Sequence, residues 1–203
     1  MEPDAVEIRV LGCLIEKQRT TPDVYPLTLN ALRLACNQST NREPVVDYDE
    51  NTIRSAIERL VQRKWATLAS WSNRRSMKYR HTLDTALGLS DQEISVLAVM
   101  LLRGPQTPGE LKTRTERLHT FGDPQEVTGT LDRLIERGLV ARLERRPGQR
   151  EERYKHLLSE ELEESAHEPP PEPVREDDRI QRIERQLDEL RSEIKALREE
   201  LGA

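Results

Sequence analysis

Apolar residues recur along this chain at helical spacing, stop, and then recur in nearly the same order. Asp4 and Glu7 form a D-x-x-E cap ahead of Ile8, Val10, Leu11, Leu14 and Ile15. Apolar positions on so much of the circumference predict a first helix buried on more than one side. Pro22 and Pro26 bracket a loop, after which Leu29, Leu32 and Cys36 fall at helical spacing and mark a second helix. The polar stretch N-Q-S-T-N-R-E-P is too rich in Asn, Ser and Pro to be regular. Asp49 then caps a third helix with Ile53, Ile57, Leu60 and Val61 facing inward. Trp65 to Trp71 reads as a short strand, Ser72 to Ser76 as a turn carrying Arg74 and Arg75, and Met77 to Leu83 as the returning strand.

The second half repeats this order. Ser90 and Glu93 cap a helix filled by Val96, Leu97, Met100 and Leu101, with Leu89 and Ile94 as its hydrophobic staple. T-P-G-E at Thr107 to Glu110 starts the next helix with proline at its first position. D-P-Q-E at Asp123 to Glu126 forms a third capping box, starting a helix with Val127, Leu131, Leu134 and Ile135 inward. The stretch from Glu126 to His156 then runs helix, stop at Gly138, strand, arginine-loaded Pro-Gly turn and returning strand. E-I-S-V-L lies over E-I-R-V-L, and R-Y-K-H-L-L over K-Y-R-H-T-L. Matches in the same order predict duplication of one helix-helix-helix-wing unit. The expected fold is therefore mainly α with small β wings: tandem winged helix-turn-helix domains over 1–88 and 89–158.

Past Leu158 the pattern changes. Residues 159–178, including H-E-P-P-P-E-P, read as an acidic, proline-rich linker. Over 179–203, Ile180, Ile183, Leu187, Leu190, Ile194, Leu197 and Leu201 are spaced alternately three and four apart, the a/d seam of a coiled coil. The seam predicts self-association, as a homodimer or higher oligomer.

Charge sharpens the division. The formal net charge of −5 belongs to the tail: residues 1–88 carry thirteen basic and eleven acidic residues, 89–157 twelve and eleven, and 158–203 seven and fifteen. Nucleic-acid binding must then rest on local clusters rather than on a large positive field. Two cysteines without CxxC spacing, Cys13 and Cys36, indicate neither a disulfide framework nor a zinc site. The absence of a long apolar run leads us to expect a soluble, cytoplasmic protein without membrane contact.

A third helix entering the major groove, with its wing on phosphate, needs outward side chains on that helix and cations in the wing. The first module supplies Asn51, Ser55 and Arg59 for base edges or backbone, Arg54 on the flank, and Arg74, Arg75 and Lys78 in the wing. Glu58 on the same face opposes deep insertion. The corresponding face of the second module, Gln125, Gly129, Asp132, Arg133 and Glu136, sets two carboxylates toward the phosphates. Its wing arginines, Arg145, Arg146 and Arg150, are secondary candidates beside Glu151 and Glu152. Packing, dimerisation or a protein partner suits that module better than base reading. Double-stranded DNA is thus the expected partner of the first module, and a protein-interaction scaffold that reads no bases is the alternative. No catalytic motif, metal cluster or cofactor loop stands out, so an enzyme is not expected. The paired Tyr79/His81 and Tyr154/His156 share a sheet face and are expected to be structural.

Three blocks, Y-P-L-T-L-N-A-L-R-L-A-C-N-Q-S-T-N-R-E-P, L-L-R-G-P-Q-T-P-G-E-L-K-T-R-T-E-R-L-H-T-F and R-P-G-Q-R-E-E-R-Y-K-H-L-L, resemble the signature blocks of the YceH family. The resemblance covers about residues 4–158. It departs at Ser39-Thr40, where the family pattern carries a lysine. It implies tandem winged helices in a bacterial cytoplasmic protein of unassigned function, and supplies neither catalytic residues, a DNA site nor a ligand.

Overall fold

Six helices begin where a short polar side chain takes up an otherwise free amide of the first turn. In the computed structural model, which describes residues 2–69, 77–145 and 151–159, Asp4, Thr28, Asp49, Ser90, Thr107 and Asp123 each accept the N–H three residues on. These residues open α1 (Ala5–Thr20), α2 (Leu29–Cys36), α3 (Glu50–Gln62), α5 (Asp91–Arg103), α6 (Pro108–Thr115) and α7 (Pro124–Glu136). Reciprocal capping boxes form at Asp4/Glu7, Ser90/Glu93 and Thr107/Glu110. The box expected at Asp123 forms only by half, because the Glu126 carboxylate bonds the Gly122 amide at 2.8 Å and the Gln92 side chain instead of closing on Asp123.

Each third helix is followed by an antiparallel hairpin. In the first half β2 (Ala66–Ala69) pairs with β3 (Lys78–His81), and the two-residue β1 (Leu27–Thr28), ahead of α2, adds to the outer edge of β3 with Leu27 opposite Tyr79. In the second half β4 (Val140–Leu143) pairs with β5 (Arg153–His156), and a single bridge from Gln106 to Tyr154 occupies the place of β1. Both turns into the hairpins need a left-handed residue: Gly138 at φ 67° in one, Lys64 at φ 64° in the other. A short helix not foreseen from the pattern, α4 (Leu83–Leu87), joins the halves and ends at Gly88, φ 62°. The described residues are thus mainly helical, with two small antiparallel sheets.

The buried side chains gather in two clusters, and α5 serves both. Ile94, Ala98, Leu101 and Leu102 join the core of α1, α2 and α3, whereas Val96, Leu97, Val99 and Met100 join the core of α6, α7 and the second hairpin. Every residue of α1 from Glu7 to Ile15 is also buried, the charged Glu7 and Arg9 among them. The two central helices approach so closely at Gly12 that a Cβ there would lie 2.9 Å from Leu102 Cγ and Cδ2 and 3.1 Å from Leu101 Cβ. The chain divides into a unit at 1–161 and a second at 162–203. Beyond Ser159, the predicted linker and the heptad residues Ile180, Ile183, Leu187, Leu190, Ile194, Leu197 and Leu201 lie outside the described residues.

The hairpins stand on a repeated pair of buried rings. Tyr79 and His81, like Tyr154 and His156, face inward on alternate positions of their strands. The His81 amide donates to Tyr25 Oη at 2.8 Å and its Nε2 bonds Gln18, while neither His81 Nδ1 nor His156 Nδ1 has a hydrogen-bond partner among the described residues. Burial pushes both imidazoles down to about 4. The Asp84 carboxylate, 3.8 Å from His81 Nδ1, works against this, whereas Arg19 and Arg80 reinforce it; Lys155 does so at His156. Both rings are therefore neutral and structural at neutral pH.

Two outcomes follow. Gly12→Val should lower unfolding stability by about 1–3 kcal/mol through overpacking. Gly129→Ala, where the added methyl meets only Arg133 Nη1 at 3.8 Å, should raise it by up to about 1 kcal/mol through helix propensity; urea titrations of both variants check this. Because the folded imidazoles titrate below their unfolded value of about 6.5, the unfolded chain binds more protons between that pH and about 4. Stability is then full above pH 6.5 and falls as pH drops, by on the order of 2–3 kcal/mol per histidine across the window. Urea midpoints at pH 7.5 and 5.0 test it, and an unchanged or higher midpoint at pH 5.0 would refute it.

Candidate nucleic-acid interface

The third helix of the first half buries one face and leaves the other bare. Ile53, Ala56, Ile57 and Leu60 are fully buried, which at 100° per residue turns Asn51, Ser55, Glu58 and Gln62 to solvent, where they are all exposed. Neither the Asn51 nor the Ser55 side chain is hydrogen-bonded among the described residues. Arg54 sits at the edge of this face, paired to Glu50 one turn back at 2.7 Å with both side chains about half exposed. A pair so exposed contributes a few tenths of a kcal/mol and leaves the guanidinium available.

Arg59 is set apart from these residues. Its Nη2 lies 2.5 Å from Asp4 and its Nε 3.0 Å from Glu7, and Arg63 Nε reaches the other Glu7 oxygen at 3.1 Å. The Glu7 hydrogen bond, with the Asp4 and Glu7 charges, raises the already high pKa of Arg59. Arg59 was expected to reach bases or backbone; instead it is drawn to α1, because Glu7 is a buried carboxylate that needs cationic partners. The second half repeats the device: Glu93 is buried, caps α5, and accepts Arg137 Nη1 at 3.2 Å. Burial alone would raise the Glu93 pKa, but the bonds from Ser90 and Arg137 outweigh it and hold the carboxyl below its usual range.

On the hairpin, Arg80 points out from β3 while Lys78 is half-buried. The hairpin also exposes Leu68 and Met77. Arg74 and Arg75 lie outside the described residues, as do Arg146 and Arg150. The described surface thus leaves Asn51, Arg54 and Ser55 outward on α3 and Arg80 outward on β3. Arg80 was not among the sequence candidates, although its strand position opposite Tyr79 and His81 places it outward.

The outer face of α7 is different. Gln125, Asp132 and Glu136 are exposed, Gly129 offers no side chain, and Arg133 bonds Gln92 at 2.9 Å and Thr130 at 3.0 Å. On the hairpin, Glu152 lies 3.3 Å from Arg142 and 3.8 Å from Arg145, and Arg142 stacks 5.7 Å over the Tyr154 ring. Arg142 and Arg145 are therefore engaged locally. Among the described residues no cluster of three or more His, Cys, Asp or Glu could hold a metal, and no helix is long and apolar enough to cross a membrane.

Comparison with known proteins matches this chain to bacterial relatives along most of its length. A UPF0502 protein of Pelobacter propionicus is 48% identical over 201 residues, covering 95% of this chain and 91% of its own. One from Azotobacter vinelandii is 51% identical over 163 residues (79% and 72%), and one from Vibrio vulnificus 45% identical over 206 residues (95% and 94%). Coverage of 95% carries the similarity into the tail, beyond the 4–158 span of the signature blocks. The family model described as "Protein of unknown function, DUF480" matches residues 4–149, and the chain belongs to that family.

Proposed function

We propose that this protein is a DNA-binding regulator made of two winged-helix modules, and that its first module lays α3 in the major groove with the β2–β3 hairpin against the backbone. The observation that carries the reading is the outward face of α3, where Asn51 and Ser55 are exposed with side chains unbonded among the described residues, and Arg54 flanks them. Asn and Arg are the side chains that pair with adenine and guanine edges, and a hydroxyl serves either base or phosphate. Arg80 adds an exposed cation on the hairpin, while Glu58 limits how deeply the helix seats. The heptads of the tail would pair two chains, as a regulator reading a two-fold site requires. The protein would work in the cytoplasm, without cofactor or catalytic step.

A second reading, a protein-interaction scaffold, draws on the second half. The acidic outer face of α7 and its locally paired arginines suit a protein partner rather than a phosphate backbone.

Salt separates the two readings. Affinity for random duplex DNA, measured by anisotropy, should fall steeply with rising salt. Arg54→Gln should weaken binding several-fold and reduce the log–log salt slope by about one if the residue meets a phosphate. Arg59→Gln should act chiefly on stability, because that side chain is held by Asp4 and Glu7. No binding at low salt would refute the DNA reading and leave the scaffold.

A further inference from the structure

Three arginines converge on one cleft between α1, α5 and α6, remote in function from the α3 face. Arg103 closes α5, Arg114 belongs to α6, and Arg117 follows α6 by two residues; all three line a cavity of about 60 Å³. A water position needs roughly 10–15 Å³ on the same measure, so the cleft holds about four to six such positions, room for a carboxylate or phosphate group. Its apolar wall comes from α5 and includes Ala98 and Leu102.

The cations there exceed their partners. Arg117 has no hydrogen bond or ion pair among the described residues. Arg103 bonds the neutral Asn41 side chain, and the Glu43 charge acts on it from nearby. Arg114 bonds Gln106 and lies 3.4 Å from Glu110, which is shared with Arg153 at 3.5 Å. Glu16 is the single acid of the lining, and Arg42 already holds it at 2.5 Å through a fully buried guanidinium, with Lys17 at 3.7 Å. Burial first, then the charges of Arg114 and Arg42, lowers the Arg103 pKa against the pull of Glu43 and Glu16. Like charges are therefore gathered in a concave, partly apolar site, an arrangement that an anion relieves.

We infer that this cleft is a binding site for a small oxyanion, the phosphate or carboxylate group of a small ligand, held by Arg103, Arg114 and Arg117 with its remaining body toward the opening. The cleft itself is lined by both halves, α1 contributing Glu16 and Thr20 opposite the three arginines of the second half. The inference does not rest on the DNA reading, and a DNA backbone phosphate is the other source of the same chemistry.

Calorimetric titration of the full chain with inorganic phosphate and with acetate, at constant ionic strength set with sodium chloride, tests it. Expected is saturable binding of one anion per chain for at least one of the two probes, weakened about tenfold in Arg103→Gln and in Arg117→Gln, the loss of one charge-assisted hydrogen bond. Arg117 is exposed, so its substitution does not threaten the fold. Absence of saturable heat with both probes, or affinity unchanged from the parent chain in both variants, would overturn the site. Duplex DNA is titrated in parallel: a loss of DNA affinity in Arg117→Gln with no anion binding would assign the arginines to a nucleic-acid backbone and overturn the small-ligand site.

Discussion

Burying a carboxylate costs several kcal/mol unless donors surround it, and in each half of this chain that requirement holds the third helix in place. Glu7 accepts the Asp4 amide at 3.1 Å and the guanidinium groups of Arg59 and Arg63. It thereby caps α1 and fixes the far end of α3 with one side chain. Glu93 does the same for α5 and α7 through Ser90 and Arg137. The arginines so held, above all Arg59, cannot also reach across the outer face of α3. What remains outward is Asn51, Ser55, Gln62 and the acidic Glu58, edged by Arg54.

The second constraint is the close approach of α1 and α5 at Gly12. Since α5 supplies side chains to both cores, the two halves are not independent beads. The oxyanion cleft lies along this central pair, so occupancy there would act on the helices that carry both capping glutamates. The charge of the chain fits this economy. Neither half has a large positive excess, and many of its cations meet carboxylate partners.

Much of this was legible in the sequence, because caps and apolar periodicity are local. Asp4, Asp49, Ser90 and Thr107 announce their helices, and Ile53, Ile57 and Leu60 declare the buried face of α3. The duplicated Tyr-x-His strands bury both rings of each pair, since alternate residues of a strand share a face. The failures are non-local. A helical wheel places Arg59 on the outward face of α3 but cannot show that the buried Glu7 lies within its reach. Glu126 has the spacing of a capping box, yet Gly122 and Gln92 compete for its carboxylate. β1 is too short to produce a pattern, and α4 follows so closely on β3 that its Leu83 read as the end of the strand. The cleft of Arg103, Arg114 and Arg117 depends on packing between α1, α5 and α6 that no single segment encodes.

The carboxylate clamp is tested most directly by a double-mutant cycle on Glu7→Gln and Arg63→Gln, read by urea unfolding at pH 7.5. Glutamine keeps the capping bond to Asp4, so the cycle isolates the link to α3. The clamp predicts a coupling of about 1–2 kcal/mol between the two positions; stability losses that simply add, within about 0.5 kcal/mol, would show that Glu7 does not hold the third helix.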